Sequence, residues 1–152
     1  MAHARRRITT AIACALLGVL GAGLDAQQKT DKSKEQEAKR PKMTLRVRPQ
    51  VVIAPASVTL TAELTGGADD FEEYYCASVE WEWGDDTRSE STTDCEPYEA
   101  GKSQIKRRFT TQHQFRRAGT YKVYIHLKSK DRVVGSAMAT VQVQPGVQSG
   151  PF

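Results

Sequence analysis

The chain has 152 residues, a length that suggests one domain of ordinary size plus tails. Its formal net charge of +4 conceals a segregation: residues 63–99 hold 13 acids and one base, whereas residues 100–152 hold 10 bases and one acid. This distribution excludes a uniformly basic chain, so net charge alone does not indicate a partner.

Residues 1–26 have the features of a secretory signal peptide. Arg5, Arg6 and Arg7 form a positive n-region, residues 8–20 form an apolar h-region, and Ala26 is the predicted last residue removed. The apolar run is short for a membrane span, and the chain would meet a membrane only if this segment were retained as an anchor. The sequence also lacks asparagine and hence any N-glycosylation acceptor. We therefore predict a secreted or periplasmic bacterial protein.

Residues 27–42 are charged and contain no aromatic or β-branched aliphatic side chain. Such a segment cannot bury enough apolar surface to order itself, so the sequence predicts a flexible linker. A short helix is the alternative, but no apolar stripe would hold it to a core.

Alternating apolar and polar residues predict one all-β domain over residues 43–145, followed by a short tail at 146–152. The predicted strands are 44–48, 57–64, 74–83, 104–109, 111–115, 121–127 and 133–143. A tight hairpin at residues 129–131 joins the last two strands. Several short strands with few helix-start signals indicate a two-sheet β-sandwich.

Cys76 and Cys95 are the two cysteines that remain once the signal is removed. An even count in an exported chain predicts one disulfide, which would close a loop of about 20 residues and stabilise the fold by about 3 kcal/mol. The alternatives are two free thiols or half of a metal site. No histidine or further cysteine lies at ligand spacing from either residue, which favours the disulfide.

Two segments carry a more specific pattern. Residues 79–87 read V-E-W-E-W-G-D-D-T, and residues 111–127 read T-Q-H-Q-F-R-R-A-G-T-Y-K-V-Y-I-H-L. Together they resemble the motif of the polycystic-kidney-disease (PKD) domain family, which is W-x-F-G-D-G-T, then H-x-Y, then G-x-Y-x-V. The matching residues are Trp81, Trp83, Gly84, Asp85, Thr87, His113, Phe115, Gly119, Tyr121 and Val123.

This resemblance covers residues 44–143 and implies an immunoglobulin-like antiparallel β-sandwich of the kind found in secreted and surface proteins. It implies structural roles for the matching residues. Gly84 would allow a sharp turn, and Asp85 and Thr87 would bond to the turn backbone. Tyr121 resembles a tyrosine corner, with its hydroxyl bound to nearby backbone, and the tryptophans and Tyr121 would lie in the core.

The chain departs from the family pattern in three places. Asp86 replaces the usual glycine of the turn and must tolerate whatever φ that glycine served. The connection spanning residues 88–110 is longer than usual. The disulfide is not a general family feature, and it would pin this connection against the sandwich.

The segregated charges have two interpretations. If the tryptophan strand lies beside the Tyr121 strand, Glu80 and Glu82 would face Lys122 and Lys128 across the sheet. Alternatively, an acidic patch and a basic patch would each meet a charged partner.

Candidates for chemistry are weak. The acidic run at residues 69–73 could hold calcium but lacks the EF-hand spacing, so we interpret it as a solvated loop. Asp85 and His113 have structural roles in the motif. The bases at 106–108 and 116–117 suit an anionic sugar; export argues against nucleic acid, and such bases also commonly protect sheet edges. No serine, cysteine or lysine has a base at motif spacing, and we predict no metal and no cofactor.

We therefore interpret the chain as a non-enzymatic, monomeric, exported PKD-like domain that binds another protein or a polysaccharide. The exposed sheet faces and the 88–110 connection are the predicted contact surfaces. The alternatives are a structural spacer of the envelope and a calcium-dependent binding module.

Overall fold

A computed structural model describes residues 34–146, and the strands in this range form two sheets. The signal segment at 1–26, residues 27–33 of the predicted linker and the tail from 147 onward lie outside the described residues. The strands are β1 (Lys42–Arg48), β2 (Val51–Ile53), β3 (Ala56–Thr65), β4 (Ser78–Glu82), β5 (Arg88–Ser91), β6 (Arg108–Phe115), β7 (Gly119–Ser129) and β8 (Arg132–Gln144).

One sheet has the order β1-β3-β6 and the other the order β2-β8-β7-β4-β5. Neighbouring strands are antiparallel except for β2 and β8, which pair in parallel over three residues. The predicted immunoglobulin-like β-sandwich is therefore confirmed, with one short parallel pair in an otherwise antiparallel arrangement.

The core lies between the sheets, because alternate side chains of each strand point toward the opposite sheet. In β3 and β7 the alternate apolar residues are almost fully buried, and Trp81 and Trp83 are only 6% and 4% exposed. Each buried ring removes roughly 150–250 Å² from water, so the pair supplies a large share of the apolar burial. The core side chains of β3 and β7 are Val58, Leu60, Ala62, Leu64, Val123, Ile125 and Leu127.

Three features of the strands differ from the sequence prediction. Residues 104–107 are not a strand, so the two short strands predicted there are the single strand β6. The predicted strand 74–83 is shorter, because a 3-10 helix ends at Tyr74 and Cys76 has a φ of 51°, which an extended strand cannot accommodate. Strands β2 and β5, of three and four residues, are too short to show a period and were not predicted.

The hairpin between β7 and β8 is as tight as predicted. Lys130 and Asp131 have φ values of 50° and 63° and separate the paired residues Ser129 and Arg132. Two successive positive φ values characterise the type I′ turn, whose twist matches that of the flanking strands.

At the C-terminal end of the predicted linker, the structure shows the short helix that was the alternative, followed by residues attached to the domain. Residues 34–39 are helical and β1 begins at Lys42, one residue before the predicted domain boundary. The Pro41 side chain is fully buried, and the backbone N–H of Ala68 donates to the carbonyl oxygen of Lys39 at 2.8 Å. The prediction considered only the missing aromatic and β-branched residues, whereas a proline ring and backbone hydrogen bonds attach this segment.

Arg40 adds a second attachment. Its guanidinium donates to the carbonyl oxygen of Val134 at 2.8 Å and to the carboxylate of Glu73, and it lies 5.4 Å from the ring centroid of Phe71 and 5.7 Å from that of Tyr74. A planar cation over aromatic rings with a carboxylate partner is a favourable setting for arginine. Residues 39–42 therefore belong to the domain.

Two adjacent glycines test this attachment. Gly66 and Gly67 have φ values of 64° and 62°, but a Cβ on Gly67 would lie 2.5 Å from the backbone nitrogen of Pro41, whereas none of the described atoms lies within 4 Å of a Cβ on Gly66. Gly66→Ala should lower the free energy of unfolding by about 1–2 kcal/mol through its φ alone. Gly67→Ala should cost at least about 2 kcal/mol more, measured by urea unfolding followed by tryptophan fluorescence. Equal effects would show that the Lys39–Pro41 segment is not attached there.

Candidate functional site

The residues of the PKD-like motif meet at one end of the sandwich, beyond the last residue of β4. Gly84 leaves the strand with a φ of 75°, and a Cβ there would lie 2.6 Å from the carbonyl oxygen of Lys122. Both the backbone conformation and the close approach of β7 therefore require glycine at this position. Asp86, which stands where the family has glycine, also has a positive φ, 67°.

The Asp85 carboxylate makes hydrogen bonds both within the turn after β4 and to β6. Its Oδ1 accepts hydrogen bonds from the backbone N–H of Thr87 at 3.2 Å and from the Thr87 hydroxyl, and its Oδ2 lies 2.7 Å from Nε2 of His113 on β6. Burial raises the pKa of the Asp85 carboxyl, but the hydrogen bonds from Thr87 and His113 outweigh this effect. The pKa of Asp85 is therefore below its ordinary value of 3.8.

The His113 ring lies between aromatic neighbours. It stacks on Trp83 with ring centroids 4.2 Å apart and an interplanar angle of 5°, and it meets Phe115 edge-on at 4.8 Å. Trp83 in turn stacks on Trp81 at 5.5 Å. The histidine thus packs, partly buried, against these rings while its Nε2 bonds to Asp85.

Tyr121 and its neighbours complete the motif. The Tyr121 hydroxyl donates to the carbonyl oxygen of Arg117 at 2.8 Å, the geometry of a tyrosine corner. Its ring stacks on Phe115 at 4.4 Å but is only half-buried, less than the interior position expected from the sequence. Gly119 lies against this ring, and Val123 is fully buried.

An open cleft of about 550 Å³ lies over these residues. The Asp85–His113 pair and the Thr87 hydroxyl are among the polar groups that line it. An activated hydroxyl would have to donate to the histidine, but the Thr87 hydroxyl donates to Asp85 instead. The pair therefore acts as a hydrogen-bonded connection between the turn after β4 and β6, and the Thr87 hydroxyl is not directed at the histidine. The lining residues are Asp85, Thr87, His113, Gln114, Arg116, Arg117 and Tyr121.

The predicted disulfide between Cys76 and Cys95 is confirmed, with Cα atoms 6.0 Å apart. Further contacts attach the segment that it anchors. The Tyr98 hydroxyl donates to the carbonyl oxygen of Asp70 at 2.7 Å, the Tyr75 hydroxyl donates to that of Glu96 at 3.0 Å, and the two tyrosine rings lie 5.5 Å apart. We call residues 92–107 the pinned connection.

The far end of the pinned connection is attached through Arg107. Its guanidinium bonds to Asp69 at 2.6 Å and donates to the carbonyl oxygens of Leu64 and Gly66 at 3.1 and 3.0 Å. Ile105 inserts a buried side chain, and its N–H donates to the carbonyl oxygen of Asp69. The sequence analysis missed Arg107 in this role, because a base between two other bases gives no signal of a specific partner.

The acidic run at residues 69–73 takes part in attaching both the pinned connection and the segment around Arg40. Asp69 binds Arg107, Asp70 accepts from the backbone N–H of Gly101 at 3.1 Å, and Glu73 binds Arg40. Within residues 34–146, no group of three or more histidine, cysteine, aspartate or glutamate side chains is placed to hold a metal ion. The calcium alternative thus finds no support in this part of the chain.

The predicted charge pairing across β4 and β7 is correct for one pair and wrong for the other. Glu80 binds Lys128, a contact that lowers the pKa of Glu80 and raises the pKa of Lys128. Glu82 instead binds Arg88 of β5 at 2.9 Å, because the register places Tyr124 opposite Glu82. The unpredicted strand β5 supplied the missing partner.

No family model matches this chain, and no curated protein matches it. Among solved structures, the PKD domain of an M14-like peptidase from Thermoplasmatales archaeon SCGC AB-540-F20 is 16% identical, with a TM-score of 0.46, and the match covers 69% of this chain and 96% of that one. A CARDB domain from Pyrococcus furiosus, solved with di-metal ions, is 13% identical with a TM-score of 0.42, covering 71% and 97%.

A superoxide reductase (neelaredoxin) from Ignicoccus hospitalis is 9% identical with a TM-score of 0.40, covering 84% of this chain and 100% of that one. With TM-scores below 0.5, these matches carry no argument about binding or catalysis. The PKD-like fold follows from the sheet order and the motif contacts described above. Within residues 34–146, no helix has the length and apolarity that crossing a bilayer requires.

The lowered pKa of Asp85 makes the stability of the fold depend on pH. A carboxyl whose pKa is lower in the folded chain stabilises the fold above its unfolded pKa of about 4, and this contribution is lost as the pH falls through the folded value. Asp85→Asn should therefore lower the free energy of unfolding by about 1–2 kcal/mol at pH 7, and the difference from wild type should shrink below about pH 4. Asp86→Asn is the matched control, since Asp86 is exposed and asparagine tolerates its φ. A difference between wild type and Asp85→Asn that does not change between pH 7 and pH 3 would contradict the assignment.

Replacing both cysteines tests the pinned connection. The Cys76→Ser/Cys95→Ser double variant should lose about 2–4 kcal/mol in urea unfolding, because the crosslink no longer restricts the unfolded chain. Limited trypsin digestion should also cleave faster after Lys102, within the released segment. Cleavage after Lys130, in the hairpin between β7 and β8, is the internal control and should keep its rate. Unchanged cleavage after Lys102 would show that the other contacts suffice.

Proposed function

We propose that this chain is an exported, non-catalytic binding module that presents the pinned connection to another protein or to a polysaccharide at or outside the cell envelope. The observation that carries the proposal is that residues 86–97 are all exposed, yet a disulfide, two tyrosine hydroxyls and Arg107 hold the segment around them in place. An exposed segment fixed in advance loses little conformational entropy on binding.

The fixed segment contributes little to the core. Ile105 is the one buried side chain between residues 92 and 107. A loop of this length that existed only as a connection would need no crosslink, and long ordered loops are commonly functional. The disulfide also supports export, because such crosslinks persist in oxidising compartments.

The excess of acidic side chains between residues 88 and 103 favours a partner with a basic surface. Glu90, Asp94, Glu96 and Glu99 outnumber Arg88 and Lys102 between residues 88 and 103. The side chains of Asp94 and Glu96 are exposed and have no basic partner among the described residues. Acidic groups of this kind steer association with a positively charged surface.

A capture experiment on exported material tests the proposal. The tagged full-length protein is expressed in its source cells, its mature N-terminus is expected at Gln27 by mass spectrometry, and partners are crosslinked and recovered from the periplasm and medium. Asp94→Lys/Glu96→Lys should reduce recovery of the bound protein or glycan at least tenfold, whereas the matched reversal Glu35→Lys/Glu37→Lys should leave recovery within twofold. Equal recovery with both variants, or a chain retained uncleaved in the cytoplasm, would refute the proposal.

A further inference from the structure

A second surface, which shares no residue with the pinned connection, carries a net positive charge. It is the outward face of the three-stranded sheet, made of the even positions 42–48 of β1, the odd positions 57–65 of β3 and the even positions 108–114 of β6. We call it the basic face. It holds four bases and one acid, and its other members are threonine, serine and glutamine.

Strand register arranges these side chains in rows. Arg46 lies opposite Thr61, which lies opposite Thr110, and Arg48 begins the next row, which continues through Thr59 and Gln112. Neighbouring strands are about 4.8 Å apart and alternate residues of a strand are about 6.8 Å apart. Each row thus places a guanidinium beside hydroxyl or amide groups on a nearly flat grid.

The positive charge of the face is not neutralised within the domain. The one acid, Glu63, is bound by Arg108 at 2.7 Å. Arg46 and Arg48 are exposed and have no acidic partner among residues 34–146. Two shallow grooves meet at these arginines: one of about 220 Å³ lies across the face, and one of about 430 Å³ follows residues 45–50 along the outer edge of β1.

The side chains of the basic face favour a ligand that carries acidic groups and hydroxyls. Guanidinium groups bind carboxylates and sulfates in a bidentate manner, and threonine and glutamine exchange hydrogen bonds with hydroxyl groups. The face presents no aromatic or aliphatic side chain. Single-stranded nucleic acids need aromatic stacking platforms, and the centres of protein interfaces are enriched in aromatic residues. A ligand with repeated acidic groups and many hydroxyls is complementary to this face.

We propose that the basic face binds an anionic polysaccharide, with Arg46 and Arg48 contacting its carboxylate or sulfate groups and the threonine rows contacting its hydroxyls. The inference rests on the proposed function insofar as an exported chain meets such polymers. It adds a second binding surface, whose charge is opposite to that of residues 88–103. The competing interpretation is that the bases of β1 only prevent edge-to-edge pairing of an exposed strand.

Binding of defined polymers to the mature chain tests this inference. The probes are polygalacturonate, dextran sulfate, uncharged dextran and a 20-base-pair DNA duplex, immobilised for biolayer interferometry at 50 and 200 mM NaCl. Polygalacturonate, dextran sulfate or both should bind, and uncharged dextran should not. Arg46→Gln/Arg48→Gln should raise the Kd at least tenfold and reduce the salt dependence of log K by a slope of about two, as expected when two charge contacts are lost.

Lys122→Gln/Lys130→Gln is the matched control, because it removes two exposed bases from the other sheet and its hairpin. It should change the Kd less than threefold. The single variants Arg46→Gln and Arg48→Gln should each raise it about threefold, so the result does not depend on how well the double variant folds.

Four outcomes would overturn the inference. The first is equal weakening by the arginine and lysine pairs, which would indicate bulk attraction. The second is duplex DNA bound as tightly, with the same arginine dependence. The third is an arginine variant that aggregates while its polymer binding is unchanged, as edge protection predicts. The fourth is a wild-type chain that binds neither anionic polymer but still captures a partner through Asp94 and Glu96, which would refute this inference alone. A chain that binds the polymers but captures no partner would refute only the proposed function.

Discussion

Apolar burial holds the two sheets together, but it is non-directional and does not by itself fix how one sheet is placed against the other. The bond from Asp85 to His113 supplies a directional contact, because Asp85 follows β4 of one sheet and His113 lies on β6 of the other. Trp83 stacks on the same histidine, so the indole and the carboxylate together fix its ring. The remaining motif residues shape the turn or pack around this contact.

The contact between Asp85 and His113 requires particular backbone conformations at residues 84 and 86. For the Asp85 carboxylate to reach His113, the chain must turn between Glu82, where β4 ends, and Asp85 while β7 passes close by. The positive φ at residue 84 allows this turn, and the positive φ at residue 86 continues it toward Thr87, whose N–H bonds to Asp85. Glycine at 84 is required by the approach of the Lys122 carbonyl. At 86 the side chain is exposed, and aspartate tolerates the left-handed region better than most residues, so the substitution in the family pattern is accommodated.

The two ends of β4 are stabilised by different means. The turn after its last residue is held by side chains of the motif, whereas Cys76, just before its first residue, forms the disulfide that reaches the pinned connection. The neighbouring contacts are polar, through Tyr75, Tyr98, Asp69 and Arg107. Opening this end exposes little apolar surface, which is why a covalent bond matters more there than in the interior.

Features that arise from neighbouring residues could be predicted from the sequence, whereas contacts between distant residues could not. β3 and β7 alternate over many residues and the motif spacing is specific, so the sandwich, the tryptophan core and the turn could be predicted. The bond of Asp85 to His113 spans 28 residues and the attachment of Pro41 depends on Gly67, so neither contact produces a periodic pattern in the sequence.

The count of charges by sequence segment was misleading, because strand register decides which side chains share a surface. Arg46 and Arg48 lie outside the basic half of the sequence, yet they join Arg108 on one face, whereas Arg107, the neighbouring base, is used internally. Since side chains alternate along a strand, only every second base of a basic run can face a common partner, and pairing between strands decides which bases these are.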